Sequence, residues 1–185
     1  MLVESGLTRA TMADGREFTF RPSFSRLARI GTPAGIVKAY VDLYGPNAGE
    51  EAVHILACLC DEDDVTPLVG WLDGDGQRHE VAMPAVHQVI LARHLMRHGI
   101  VGKAQPEKQT DGQYSAVFNA HEYVASARVH LGLSGAEAEE LSMTEFQTLF
   151  EMKYPQKGKQ TRNLPSREDY ASFMAKFKTS PPKAP

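Results

Sequence analysis

A chain of 185 residues has room for one domain, or for a small domain with appendages, and its 42% hydrophobic content is enough for a packed core, which excludes a wholly disordered protein. A formal net charge of −3 gives no global pull toward DNA or anionic lipid, and no apolar run approaches the ~20 residues that cross a bilayer. The N-terminus has no basic segment followed by an apolar one, so no secretory signal is expected and a cytoplasmic location follows.

Asp14-Gly15 is a tight-turn signal between two extended runs, and residues 1–24 are predicted to form a β-hairpin. Phe18 and Phe20 alternate with Thr19, which gives one buried face, and Pro22 ends the pairing. The period then becomes helical. "SFSRLARI" is a short helix stopped by Gly31. "TPAGIVKAYVDLYG" begins with Thr32 as cap and Pro33 in the first turn, and it carries Ile36, Val37, Tyr40, Val41 and Tyr44 as a one-sided stripe. "NAGEEAVHILACLC", capped by Asn47, should end by Cys60, because Asp61, Glu62, Asp63 and Asp64 would oppose the negative end of the helix dipole. Residues 61–83 are expected to be irregular: a solvated acidic turn, then a loop or second small hairpin near Asp75-Gly76. "PAVHQVILARHLMRHG" is a helix opened by Pro84 and closed by Gly99, completing a helical core over 25–103.

A polar connector, 104–117, leads to a C-terminal helical module, 118–155. Its first helix, "AVFNAHEYVASARVHLG", offers Phe118, Val124, Ala127 and Leu131 for packing. "LGLSGAEAEELSMTEFQTLFEMKYP" then starts a helix twice. Ser134 precedes Glu137 by three residues and Ser142 precedes Glu145 by three, each pair a capping box. Met143, Phe146, Leu149 and Phe150 form a stripe on the second helix, with Tyr154 just beyond; it either packs on the domain's own core or is left for a partner. Residues 156–185 read as a basic, Pro-rich flexible tail with room for one short helix capped by Ser166. The fold class expected is α+β, mostly α: an N-terminal β-hairpin packed on a helical domain, a C-terminal short-helix module and a basic tail.

Candidate chemistry is sparse. Cys58 and Cys60 have neither disulfide-framework nor metal spacing and read as buried reduced thiols. The 61–64 acids lack the alternation, glycine and distal Glu of a calcium loop. His94 and His98 have the i, i+4 spacing that can hold zinc, but the general-base Glu of a zinc protease is missing and Arg93 and Arg97 stand beside them. No nucleophile elbow and no phosphate- or dinucleotide-binding glycine pattern occurs, so neither an enzyme nor a cofactor is expected. Residues 134–152 carry Glu137, Glu139, Glu140, Glu145 and Glu151 with no Lys or Arg, which rules the paired helices out as a DNA reader. From Lys153 onward eight basic side chains face two acidic ones, a net +6, which leaves −9 on residues 1–152. A basic arm on an acidic body can dock on an acidic partner or on another copy of the protein.

"ARVHLGLSGAEAEELSMTEFQTLFEMKYP" resembles the C-terminal segment of tail-assembly proteins of long-tailed bacteriophages. "REFTFRPSFSRLARIGTPAGIVKAYVDLY" resembles the hairpin-then-helix opening of the same group, and "CDEDDVTPLVGW" and "AMPAVHQVILARHLMRHGIVGKA" resemble its middle. The resemblance covers most of residues 1–155. It implies a tail assembly chaperone of the host cytoplasm, absent from the finished virion, that binds the tape-measure protein and/or tail-tube subunits. Helix-in-groove docking on an apolar stripe with an acidic rim is the mode expected, with Met143, Phe146, Leu149, Phe150 and Tyr154 as contacts. A structural minor tail protein retained in the virion is the alternative, and a metal-binding enzyme the third reading.

Overall fold

The computed structural model describes residues 5–75, 78–79, 82–103 and 116–155. Asp14-Gly15 closes the hairpin: β1 (Thr8–Thr11) pairs antiparallel with β2 (Glu17–Phe20), Thr8 opposite Phe20 and Thr11 opposite Glu17. Gly15 sits at φ +88°, a conformation a side chain would strain. Phe18 and Phe20 point inward and are buried. Three helices follow: α1 (Phe24–Ile30), α2 (Pro33–Asp42) and α3 (Ala48–Leu59). The hairpin is stitched to the end of α3 by backbone bonds, Arg21 N–H to the Leu59 carbonyl and Asp61 N–H to the Thr19 carbonyl, both 2.8 Å.

The acidic turn after α3 is not merely solvated. Asp61 pairs with Arg21 at 3.2 Å and with Arg26 at 2.8 Å, and Glu62 accepts from the Thr19 N–H and the Cys60 thiol. Asp64 accepts from Thr66 N–H and hydroxyl, opening the four-residue helix α4 (Thr66–Val69), which the sequence pattern does not announce. A two-residue hairpin then pairs β3 (Trp71–Leu72) with β4 (Arg78–His79). The fold is thus α+β and mostly α.

α5 (Ala85–Met96) does not stop at Gly99. It runs into a π-helical turn, Arg97–Val101, and the chain leaves it at Gly102, φ +79°. Gly99 is buried instead: a Cβ there would stand 2.9 Å from Leu27 Cδ1 and 3.1 Å from Pro22 Cβ, so its role is close packing of the turn against α1. α6 (Ala120–Ser126) likewise passes into a π turn, Ala127–Leu131, ended by Gly132 in the left-handed region. α7 (Gly135–Glu139) and α8 (Met143–Lys153) complete the order. Both predicted capping boxes form: Glu137 and Glu145 each accept from the N–H of their Ser at 2.9 Å, and the Ser hydroxyls accept in return at 3.3 and 3.2 Å. Thr32 caps α2 by accepting from Gly35 N–H, whereas the Asn47 side chain makes no cap bond.

The core lies between α1, α3 and α5, with Leu27, Ile55, Leu56, Leu59, Leu95 and Met96 fully buried. The helices after the connector do not stand apart. α6 packs on α1, α8 on the π turn after α5, and the Phe24 N–H at the start of α1 donates to the Leu141 carbonyl between α7 and α8. Residues 1–153 make one compact unit, and Tyr154 opens a second. Most of the connector (104–115) and the whole basic tail (156–185) lie outside the described residues. Of the predicted α2 stripe only Ile36 is buried: Val37 and Tyr40 pack partly against the core and Val41 and Tyr44 are exposed, while Ala39 and Leu43, outside that stripe, are the other side chains facing in.

Candidate functional site

Side chains of α6 and α8 meet over Phe24 of α1 and build an aromatic ladder. Phe24 of α1, fully buried, stacks on Tyr123 of α6 (5.6 Å between ring centres) and meets Phe146 of α8 edge-on (6.1 Å). Tyr123 meets Phe146 edge-on at 5.7 Å, Phe146 touches Phe150 at 5.8 Å, and Phe150 meets His130 at 6.0 Å. Such offset and edge-to-face pairs each add ~0.5–1.5 kcal/mol beyond burial. The ladder ascends from core to surface and floors an open groove of about 430 Å³ lined by Glu122, Tyr123, Ser126, Phe146 and Phe150. The other flank of α6 and its π turn borders a second open hollow of about 430 Å³, lined by Ala125, Arg128, Val129 and Leu133.

α8 is held rigidly from the opposite side. Thr144 donates to the His98 carbonyl and shares a 3.0 Å hydrogen bond with His98 Nδ1. Gln147 accepts from Lys103 N–H at 2.8 Å and donates to the Val101 carbonyl, and Lys103 pairs with Glu151 at 3.0 Å. The groove wall is therefore a fixed surface, and fixed walls lower the entropy cost of binding.

Of the residues expected to meet a partner, the structure unites two at the groove, Phe146 and Phe150. Met143 and Phe146 are core side chains, and Phe146 meets Phe24 of α1. Leu149 is exposed on the outer side of α8 with Met152, and Tyr154 is exposed just past the helix. The acidic rim is also different from expectation. Glu137 and Glu145 are spent on caps, Glu151 on Lys103, and Glu140 lies 3.8 Å from Arg21. Glu122, which accepts from Asn119 at 2.8 Å, is the carboxylate among the lining residues. Tyr123 and Ser126 form the second wall; the sequence pattern pointed on this helix to Phe118, Val124, Ala127 and Leu131 and missed both.

Little else suggests chemistry. Burial, and then a hydrogen bond to Glu62, push the Cys60 thiol up to about 12, which keeps it protonated and inert. The His94 and His98 rings are tilted against each other with centres 4.6 Å apart, but among the described residues no three His, Cys, Asp or Glu side chains are grouped to hold a metal. Among the described residues no helix is long and apolar enough to cross a membrane. Residues 42–171 match DUF6246, a family of unknown function, and the match includes both groove walls. No curated protein and no solved structure matches the chain.

Proposed function

Because the chain belongs to DUF6246, a family of unknown function, its role has to come from its own surface, and we propose that it is a bacteriophage tail assembly chaperone that holds an amphipathic helix of the tape-measure protein in the α6–α8 groove. The observation that carries this reading is the groove itself: aromatic-floored, open, and walled by a helix fixed at five polar contacts. Helix-in-groove recognition needs an apolar trough of that kind, with anchors at i, i+3 or i+4 entering it. The resemblance of residues 127–155 and of the opening hairpin and helices to phage tail-assembly proteins supports the proposed partner class. The proposed place of action is the host cytoplasm, and the protein is proposed to leave before the virion is complete.

Co-expression with the tape-measure protein of the same phage tests the proposal. Wild-type chain is expected to keep that protein soluble, while Ser126→Arg, which fills the groove, and Phe150→Glu, which charges it, lose the effect with the circular dichroism spectrum unchanged. Retention of solubility by both variants would refute the groove, and failure of wild type would refute the chaperone.

A further inference from the structure

The α6–α8 groove carries a charge as well as an apolar floor. Glu122, the third residue of α6, is the one acidic or basic side chain among its lining residues, the others being Tyr123, Ser126, Phe146 and Phe150. The start of α6 fixes where that charge stands. The Asn119 amide, instead of capping the helix, donates to Glu122 Oε1 at 2.8 Å, while Oε2 has no partner among the described residues. Ser126 follows Glu122 by four residues, so the two share one lip of the groove. Within one turn, ~6 Å, the lip passes from a carboxylate to a small hydroxyl facing an aromatic trough. The nearby carboxylates of α8 are committed elsewhere, Glu145 to the Ser142 cap and Glu151 to Lys103. The hollow on the other flank of α6 has the opposite sign: Arg128 is the charged member of its lining.

We propose that the groove selects a helix that carries a lysine or arginine one turn from a large apolar anchor, the anchor entering between Ser126 and Phe150 and the cation meeting Glu122. This rests on the groove being the docking site proposed above, and it adds what the docked helix must carry. A lysine or arginine stem that reaches the carboxylate crosses the aromatic lining, and both its methylenes and its charge are matched by ring faces. A carboxylate at the same place on the ligand is repelled, so Glu122 rejects acidic amphipathic helices as well as attracting basic ones. The net −9 of residues 1–152 steers the same class of ligand from a distance, and Arg128 turns it away from the second hollow.

Overlapping peptides covering the tape-measure protein of the same phage, titrated with the full chain by fluorescence anisotropy, test this. Peptides that bind are expected to carry Lys or Arg three or four residues from a Leu, Ile, Met or Phe, and to bind more weakly as salt is raised. Glu122→Gln, which keeps an acceptor for Asn119, is expected to weaken binding up to about fivefold, the size of an exposed ion pair. Glu122→Lys is expected to weaken it about tenfold or more through like-charge repulsion. A peptide with that Lys or Arg changed to Glu is expected to lose wild type and to bind Glu122→Lys, while Arg128→Gln behaves as wild type. Peptides that bind wild type and both Glu122 variants equally, yet fail on Phe150→Glu, overturn the charge preference and leave the groove standing. Loss on Arg128→Gln with Glu122→Lys unaffected also overturns it and moves the ligand to the second hollow. If no peptide binds the wild-type chain, the groove reading falls and this inference with it.

Discussion

Single side chains in this protein are set by contacts a few residues away, and these give the sharpest tests. The Glu137 carboxyl is held below its ordinary 4.5 by the Ser134 hydroxyl and then by the Ser134 N–H. A depressed folded value means that the bond contributes stability above 4.5 and that the contribution disappears as pH falls through the lower folded value. An NMR titration of the side-chain carboxyl is expected to show that lowered midpoint, and Ser134→Ala to return it toward 4.5. Cys60, buried with its thiol pushed up to about 12, is expected to resist a disulfide reagent at pH 8 until the chain unfolds, with half-exposed Cys58 labelled first. Gln88 is fully buried and donates from its amide to the Val69 and Met83 carbonyls at 2.8 and 2.7 Å. Gln88→Leu leaves those carbonyls short of a donor inside the fold, and urea denaturation should show a loss of about 1–3 kcal/mol. A glutamine inside a helix flanked by exposed valine and isoleucine reverses the usual order, and no pattern of hydrophobicity along α5 reveals which side faces in.

At the scale of elements, the starts capped by Ser or Thr were legible, as were the stops of α1 at Gly31 and of α3 before Cys60, but the stop of α5 was not. Thr32, Ser134 and Ser142 open helices through bonds to N–H groups three residues on, a contact contained in the local sequence. Gly99 looked like a stop because glycine commonly ends helices, yet it sits inside a π turn so that α1 can approach. Gly99→Ala is expected to cost about 1–3 kcal/mol by overpacking Leu27 and Pro22, read as a lower denaturation midpoint. The α2 stripe shows the same limit from the other direction. Ile36, Val37, Tyr40, Val41 and Tyr44 are contiguous on the helix, but α3 covers only part of that arc, and the rest is left outside. Half of the groove was legible in the same sense: Phe146 and Phe150 stood out on α8, whereas Tyr123 and Ser126 became a wall only where side chains of α6 meet those of α8.

For the whole molecule, Phe24 is the keystone. It is fully buried and its ring meets Phe118, Tyr123 and Phe146, so one side chain from the first helix ties together three aromatics from beyond the connector. Phe24→Ala is expected to cost about 3–5 kcal/mol, and hydrogen exchange should show α6 and α8 losing protection together. The mostly helical α+β class, the Asp14-Gly15 hairpin with its inward Phe18 and Phe20, the capped helix starts and the twice-started corner were determined by the sequence alone. Each rests on backbone preference or on a partner within four residues. The joining of the C-terminal helices to the core, the use of the acids as caps and ion pairs, and the choice of which apolar side chains stay at the surface were decided only by the tertiary structure. Burial and pairing depend on which distant element arrives to cover a face, and that arrival is not written in the spacing of the residues that wait for it.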